Sequence, residues 1–315
     1  MNRDEMMVAA ASMHYLQDMT MESIAAHFHV SRSTVSRLLA QARETGVVEI
    51  RLRQDPSRAP GLAQAIAARF GIEVHVAPVA DSAATDERLE QVAMTTARLL
   101  GAWFDSSMVL GVAWGTTLAA IGRHLPRKPT RGSVVVQLNG AANQRSTGVE
   151  YAGSLISRFA SAFEASVHFF PVPAFFDYPE TRAAMWRERS VVRVLEMQQR
   201  CDIALFSVGA FGGEMPSHVY SAGYLDRDDV AELSRQGVVG DVCTVFLRED
   251  GTSEDLALNE RATGPRPEQL RRIPRRVCAV AGDGKVAALR AALLAGVITH
   301  LIVDEQTATR LAEAM

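Results

Sequence analysis

The sequence predicts an α/β protein in which a small helical head precedes a larger domain built on a mostly parallel sheet. Short helical segments with good capping residues come first, and a stretch containing two prolines and a glycine, QDPSRAPG at 54–61, follows them. Beyond it, short apolar runs alternate with helical segments, as in parallel sheets that are covered on both faces. We therefore expect two domains, residues 1–55 and 56–315.

Length and composition agree with this organisation. The chain has 315 residues, 48% of them hydrophobic and 22% charged, which excludes bulk disorder. No apolar run reaches the ~18–20 residues of a membrane span, and the N-terminus lacks the apolar core of a signal peptide. We expect a cytoplasmic protein without membrane contact. Cys201, Cys243 and Cys278 lie in apolar, strand-like stretches, which favours buried free thiols.

The head is predicted to contain three helices. Apolar spacing predicts the first over residues 3–17. Thr20 is a suitable N-cap for a second, amphipathic helix at 21–28. Ser31 is a suitable N-cap for a third helix that stops at Gly46.

Strands and helices alternate after residue 61. The strand candidates are 73–79, 107–113, 133–138, 166–170, 202–208, 241–247, 277–281 and 300–303. The helical stretches are 86–104, 116–124, 149–163, 188–199, 227–236, 284–295 and 305–314. The segment 209–226 is rich in glycine and aromatic residues without a clear period, and we interpret it as a long functional loop.

The second and third helices, joined by a short turn, fit the helix-turn-helix that reads DNA. The third helix has one apolar side, whereas its first turns carry the residues that we expect to bind DNA: Arg32, Ser33, Thr34, Ser36, Arg37 and Gln41. Arginine binds guanine through two hydrogen bonds, and serine and threonine reach phosphates or base edges. The alternative is an ordinary helical hairpin with a solvated polar face.

The charge distribution supports the DNA hypothesis. The whole chain has a net charge of −3, but residues 31–53 contain five arginines and two glutamates. A local positive patch of this kind is typical of a nucleic-acid footprint. The run VVEIRLR at 47–53 alternates like a half-exposed strand, so Arg51 and Arg53 fit wing contacts to phosphate, and solvent exposure explains them equally well.

One turn of the larger domain is a candidate anion site. The strand at 107–113 is followed by Gly115, and Thr116 and Thr117 then open a helix. The free N–H groups and the dipole of a helix N-terminus attract an anion, and threonine hydroxyls add donors. A plain strand-to-helix turn that needs glycine for its geometry is the alternative.

Three further turns are candidates, and the first of them falls where ligands of open α/β sheets bind, beyond the carboxyl end of a strand. The run VVVQLNGAANQ ends in the polar turn Gln137–Asn139–Gly140. Asp241, at the head of the strand candidate 241–247, is a candidate acceptor for hydrogen bonds from sugar hydroxyls. The alternative is that it caps a turn. Lys285, one of two lysines in the chain, opens a helix in AGDGKVAAL, where it suits a ligand phosphate or simple solvation.

The sequence offers no convincing catalytic arrangement. His168 and His218 have no acid partner at a telling spacing, and the motifs of metal and nucleophile sites are missing. We expect no catalytic residue, metal or cofactor. An isomerase or deaminase of sugar phosphates with an accessory N-terminal domain is the alternative, and it would need a positioned base near the sugar carbon.

Six segments, in their order and spacing, resemble the SorC-type family of sugar-binding, DeoR-like bacterial transcriptional regulators. They are MTMESIAAHFHVSRSTVSRLLAQARETGVVEIRL, LGVAWGTTL, VVQLNGA, CDIALFSVGAFG, GVVGDVCTVFLREDG and VCAVAGDGKVAALRAALLAGVITHLIVDEQTATRL. The resemblance implies a winged-type helix-turn-helix domain followed by a Rossmann-like domain similar to glucosamine-6-phosphate deaminases and ribose-5-phosphate isomerases. It also implies operator DNA and a phosphorylated sugar effector as partners, and assembly into a homotetramer built as a dimer of dimers.

Carried over residue by residue, the resemblance implies two parts of an effector site. The phosphate would lie at Gly115, Thr116, Thr117 and Lys285, and the sugar at Asp241, Gln137, Asn139 and Gly140. Some members that respond to deoxyribose phosphate have a lysine that bonds covalently to the sugar, where this chain has Asn139. In the family a glycine pair is common at this turn. This chain has Ala141 there, and its side chain narrows the turn. We expect a regulator whose operator binding is controlled by a small phosphorylated sugar or related carbohydrate.

Overall fold

The computed structural model describes residues 2–48, 59–80, 82–144, 149–211 and 217–315. Contacts divide the chain into two compact units, Met1–Asp55 and Pro56–Met315. Arg51, Arg53 and most of the strand predicted at 47–53 lie outside the described residues. No helix in the described ranges is both long and apolar enough to cross a membrane.

The first unit is a three-helix bundle. Its helices are α1 (Arg3–Tyr15), α2 (Met21–Phe28) and α3 (Arg32–Glu44). Both predicted N-caps are confirmed, since Thr20 Oγ1 accepts from the Ser23 N–H and Ser31 Oγ accepts from the Thr34 N–H. The predicted apolar side of α3 is buried in a core shared with α1 and α2: Val35, Leu38, Leu39 and Ala42.

The second unit alternates strands and helices. The strands are β1 (Glu73–Ala77), β2 (Val109–Val112), β3 (Val134–Gln137), β4 (Ser166–His168), β5 (Ile203–Phe206), β6 (Val208–Ala210), β7 (Val238–Val242), β8 (Val245–Arg248), β9 (Arg275–Val280) and β10 (His300–Asp304). The helices are α4 (Ala59–Phe70), α5 (Thr85–Trp103), α6 (Thr116–Arg123), α7 (Ser154–Phe163), α8 (Pro179–Met185), α9 (Arg189–Gln199), α10 (His218–Ser221), α11 (Arg227–Arg235), α12 (Ala257–Arg261), α13 (Pro267–Leu270), α14 (Val286–Leu294) and α15 (Glu305–Glu313). A π-helical turn, Val149–Gly153, precedes α7, and a 3₁₀ turn, Asp283–Lys285, precedes α14.

A seven-stranded sheet organises this unit, with the order β1-β10-β9-β5-β2-β3-β4. Every neighbouring pair in it is parallel. The central strands β2 and β5 are buried throughout, and two hydrophobic cores flank the sheet. The predicted doubly covered parallel sheet is confirmed, and all three cysteines are buried free thiols.

The strand predicted at 241–247 is wrong. This run is an antiparallel hairpin, β7 and β8, which forms a separate three-stranded sheet with β6. The chain reverses at Cys243 and Thr244, whose φ angles are +50° and +70°. The Thr244 N–H donates to Asp241 Oδ2 at 2.9 Å, so a buried carboxylate closes the turn. Asp241 therefore lies near the end of β7 and not at the head of a strand.

Two predicted irregular segments contain regular structure. Helix α4 begins at Ala59, inside the predicted linker 54–61, whose earlier residues lie outside the described part. Pro60 is compatible with the first turn, where a missing N–H costs no helical hydrogen bond. The predicted loop 209–226 contains the end of β6 and the short helix α10, and its residues 212–216 are not described.

Candidate functional site

A cavity lies where the strand order of the large sheet reverses. The chain runs from β2 to β3 and β4 on one side, then crosses to β5 and β9 on the other. Ligands of open α/β sheets bind at such a switch point, beyond the carboxyl ends of the strands. We call this space the switch-point cavity. It has a volume of about 50 Å³ and is lined from the turns after β2, β3 and β5, from α10, from the β7–β8 hairpin and from Lys285.

The cavity brings together six of the eight residues predicted to bind the effector. They are Gly115, Thr116, Thr117, Asn139, Asp241 and Lys285. Gln137 and Gly140 do not line it. Gln137 donates to the Asn139 carbonyl at 2.7 Å and accepts from the Phe170 N–H at 3.2 Å. A Cβ at Gly140 would come within 2.1 Å of the Pro173 carbonyl, so both residues shape the turn that presents Asn139.

One end of the cavity is rich in hydrogen-bond donors. Gly115 is the N-cap of α6 and has no side chain to bond the first N–H groups of that helix. These groups remain available to an anion. Thr116 is exposed, whereas Thr117 is buried, and its hydroxyl accepts from Ser207 Oγ at 3.4 Å.

Lys285 supplies a full positive charge at the same end. Its Nζ donates to Thr117 Oγ1 at 3.5 Å. Burial lowers the pKa of Lys285, and the nearby Asp241 carboxylate partly opposes that shift. A cation withdrawn from water is stabilised by an anion beside it, so an anionic ligand would favour the charged form.

The other end of the cavity carries acceptors that lack donors. Asn139 and Asp241 are 1% and 4% exposed, and among the residues that the structure describes neither Asn139 Oδ1 nor Asp241 Oδ1 has a hydrogen-bond partner. Asp241 Oδ1 lies over Gly209, where a Cβ would approach it to 1.9 Å. Burial raises the pKa of Asp241 to about 6, although Thr244, the Tyr220 phenol and Lys285 each act to lower it. The Tyr220 hydroxyl faces this carboxylate and favours its charged form, although no partner within the described ranges lies at hydrogen-bond distance from that hydroxyl.

Four aromatic side chains, which we call the aromatic box, adjoin the acceptor end. Trp114 stacks on Tyr224 with centroids 4.9 Å apart, and Tyr151 stacks on His218 at 4.6 Å. Trp114 Nε1 donates to the Gly140 carbonyl at 2.8 Å, which ties the box to the turn after β3. The sequence reasoning missed this set, although the aromatic content of 209–226 was a signal.

The predicted DNA-binding residues lie on the outer side of α3. Arg32, Ser33, Ser36 and Arg37 are exposed, and Thr34 and Gln41 are partly exposed. Arg32 Nε pairs with Glu22 at 2.8 Å, and Arg37 Nη2 donates to Thr34 Oγ1 at 3.4 Å. Both contacts are solvent-exposed, and an exposed ion pair such as Arg32–Glu22 contributes only about 0–1 kcal/mol.

Two family models match the chain. One described as "Putative sugar-binding domain" matches residues 55–313, and one described as "Sigma-70, region 4" matches residues 12–45. The deoxyribonucleoside regulator of Bacillus subtilis (strain 168) is 30% identical over 98% of this chain and 97% of its own length. The sorbitol operon regulator of Klebsiella pneumoniae is 24% identical over 96% of each chain.

Solved structures are similar as well. A domain of "a possible sugar-binding transcriptional regulator" from Arthrobacter aurescens TC1 is 50% identical, with a TM-score of 0.78, and covers 83% of this chain and 100% of that one. The full-length sorbitol operon regulator SorC from Klebsiella pneumoniae shares the fold over 99% of each chain, with a TM-score of 0.75 and 24% identity.

Proposed function

The chain belongs to the SorC-type family of sugar-binding transcriptional regulators, and from this premise we propose that a phosphorylated sugar in the switch-point cavity controls the binding of operator DNA by α3. It is a DNA-binding regulator with a sugar-binding domain. The proposal adds the chemistry of the effector, the residues that hold it and the number of subunits.

The polarity of the cavity is the observation that carries the proposal. Gly115, Thr116, Thr117 and Lys285 offer donors and a positive charge at one end. Asn139 Oδ1 and Asp241 Oδ1 are buried acceptors without donors at the other. A buried polar atom left unpaired costs about 1–3 kcal/mol, so a ligand with hydroxyl donors would recover that cost. A phosphate on a sugar or polyol combines both requirements, and it has more oxygens for the donor end than a carboxylate has.

The size of the cavity couples binding to a change of shape. A volume of about 50 Å³ holds a few water molecules, whereas sites for small molecules usually measure ~300–1,000 Å³. We propose that the cavity widens as a sugar phosphate binds, and that α10, which lines it beside the aromatic box, takes part in this change. A ligand that binds the widened form better shifts the population toward that form. An effector can control DNA binding only if it binds one of the two forms better than the other.

For the DNA side, we propose that Arg32, Ser33, Thr34, Ser36, Arg37 and Gln41 contact the operator. One helix-turn-helix makes few contacts, and two read together gain from their high effective concentration. We accordingly propose a cytoplasmic homotetramer, a dimer of dimers assembled through the larger unit. Asp241 would be the base in the alternative isomerase or deaminase. Relatives named as regulators favour a binding role for it.

The test is operator binding titrated with effector, on a duplex selected from a random pool by the parent protein. The probes are ribose 5-phosphate, glucose 6-phosphate, sorbitol 6-phosphate, inorganic phosphate and unphosphorylated ribose. Thr116→Ala combined with Lys285→Ala should retain DNA binding and lose the response. Two hydrogen bonds to a charged group contribute about 1.5–3 kcal/mol each, so effector affinity should fall several hundred-fold or more.

Lys128→Ala is the matched control. Its Nζ bonds to the carbonyls of Phe104 and Gly101, and it does not line the cavity, so that variant should respond like the parent. If the double variant still switches at parental effector concentrations, the phosphate does not bind at this turn and the proposed site is wrong.

A further inference from the structure

His218 occupies a wall of the switch-point cavity and is held by its aromatic neighbours. Its ring is nearly parallel to that of Tyr151, with an interplanar angle of 12°. Its edge meets Trp114 at a centroid distance of 6.4 Å and an angle of 75°. Two ring contacts from different parts of the fold fix the plane of the imidazole. His218 is half-buried, whereas a histidine that only fills a core would be enclosed.

The imidazole has unused hydrogen-bonding capacity. Within the described ranges, neither ring nitrogen of His218 has a hydrogen bond or an ion pair. Burial lowers the pKa of His218, so the ring is neutral near pH 7. A neutral imidazole presents one N–H donor and one acceptor. A sugar hydroxyl, which is both donor and acceptor, is complementary to either nitrogen.

The position of the ring indicates which part of the effector it would meet. Trp114 bonds to the Gly140 carbonyl, and the Tyr224 hydroxyl donates to the Ala141 carbonyl at 2.9 Å. The aromatic box is thus tied by two hydrogen bonds to the turn that presents Asn139, whereas its link to the donor end is that Trp114 directly precedes Gly115 in the chain. Lys285 stands at the donor end, bonded to Thr117.

We propose that His218 recognises a hydroxyl group of the effector's sugar and so selects among sugar phosphates without contributing to phosphate binding. This inference rests on the proposed function, because it assumes that the switch-point cavity is the effector site. It assigns specificity to a residue that sequence spacing left without a role.

Affinities for ribose 5-phosphate, glucose 6-phosphate, sorbitol 6-phosphate and inorganic phosphate, measured by calorimetry on the full chain, test this assignment. His218→Phe keeps a ring that can stack on Tyr151 but has no ring nitrogen. It should weaken the best-bound sugar phosphate about three- to tenfold, the size of one neutral hydrogen bond, and leave inorganic phosphate within twofold. His218→Gln retains a donor and an acceptor and should recover part of the loss.

His300→Phe is the matched control, because His300 is also a half-buried histidine, packs its ring against Trp103 and does not line the switch-point cavity. This variant should bind every probe like the parent. If His218→Phe binds sugar phosphates as the parent does, or weakens inorganic phosphate equally, the ring only packs and the inference is wrong while the proposed function stands. If the parent binds no probe, the proposed function fails and the inference fails with it.

Discussion

Replacing Asp241 by asparagine should stabilise the protein at neutral pH and impair its response to effector. Asp241 is buried, its Oδ2 accepts from the Thr244 N–H, and its Oδ1 has no donor. Asparagine keeps an oxygen for Thr244 and has nearly the same shape. The substitution therefore removes the buried charge, and with it a carboxylate that favours the charged form of Lys285.

The size of the effect follows from the pKa of Asp241. Burial raises it to about 6 in the native state, against about 3.9 for an unperturbed aspartate. The native state therefore binds more protons than the unfolded chain between these values, so this group adds stability as pH falls from 7.5 to 4.5. Two pKa units correspond to about 3 kcal/mol. Above pH 7 Asp241 is ionised in the parent, which loses this contribution to its free energy of unfolding. The Asp241→Asn variant should therefore be more stable than the parent by about 3 kcal/mol at that pH.

Urea unfolding of the parent and variant at pH 7.5 and pH 4.5 measures the difference. We expect the variant to be more stable at pH 7.5 and the two to converge at pH 4.5. Asp304→Asn is the contrasting control, because Asp304 is equally buried but its oxygens accept from Gly282 and Thr307. The Asp304→Asn variant should be less stable than the parent. An Asp241→Asn variant less stable than the parent at pH 7.5 would refute the reasoning.

Two further predictions concern the DNA side. Arg37→Ala should weaken operator binding by about 1–3 kcal/mol and leave effector affinity unchanged, because a guanine contact is lost from the exposed side of α3; parental affinity across a range of salt would contradict this. The protein should also bind DNA as an oligomer, which sedimentation velocity with and without the duplex measures; a monodisperse monomer with full operator affinity would exclude it.

Local signals made the helical head predictable. Thr20 and Ser31 each bond a backbone N–H three residues ahead, so the sequence alone contains the interaction. The parallel sheet was predictable because its central strands, such as β2 and β5, are buried on both faces and consist of continuous apolar runs. A similar continuous apolar run at 241–247 was predicted as one strand, although it forms part of the β7–β8 hairpin. Its turn is closed locally by Asp241, which bonds the Thr244 N–H three residues ahead, and also by Gly264, where a Cβ would come within 1.7 Å of the Cys243 carbonyl. The second contact is long-range, and no local pattern shows it.

The candidate site likewise contains some residues that the sequence indicated and others that it did not. Gly115, Asn139 and Lys285 follow β2, β3 and β9, and because these strands are parallel their ends meet at one edge of the sheet. The sequence therefore indicated them. His218 comes from a segment without a regular period, whereas Tyr151 lies in the helical stretch predicted at 149–163, and their stacking depends on the tertiary fold. A pattern along the chain could not predict that these two rings stack on each other.

The unpaired groups of the cavity connect stability to regulation. An ionised Asp241 costs the native state about 3 kcal/mol, and its free Oδ1 remains to be satisfied. A ligand at 100 times its dissociation constant stabilises the state it binds by about 2.7 kcal/mol, which is of the same size. A hydroxyl that donates to Oδ1 can thus offset much of the cost of the buried charge. On the proposed function, the donor reaches Oδ1 once the cavity has widened, so the gain would belong to the widened form. Asp241, whose buried charge lowers the stability of the protein at neutral pH, would then be the group through which a bound sugar favours one conformation over the other.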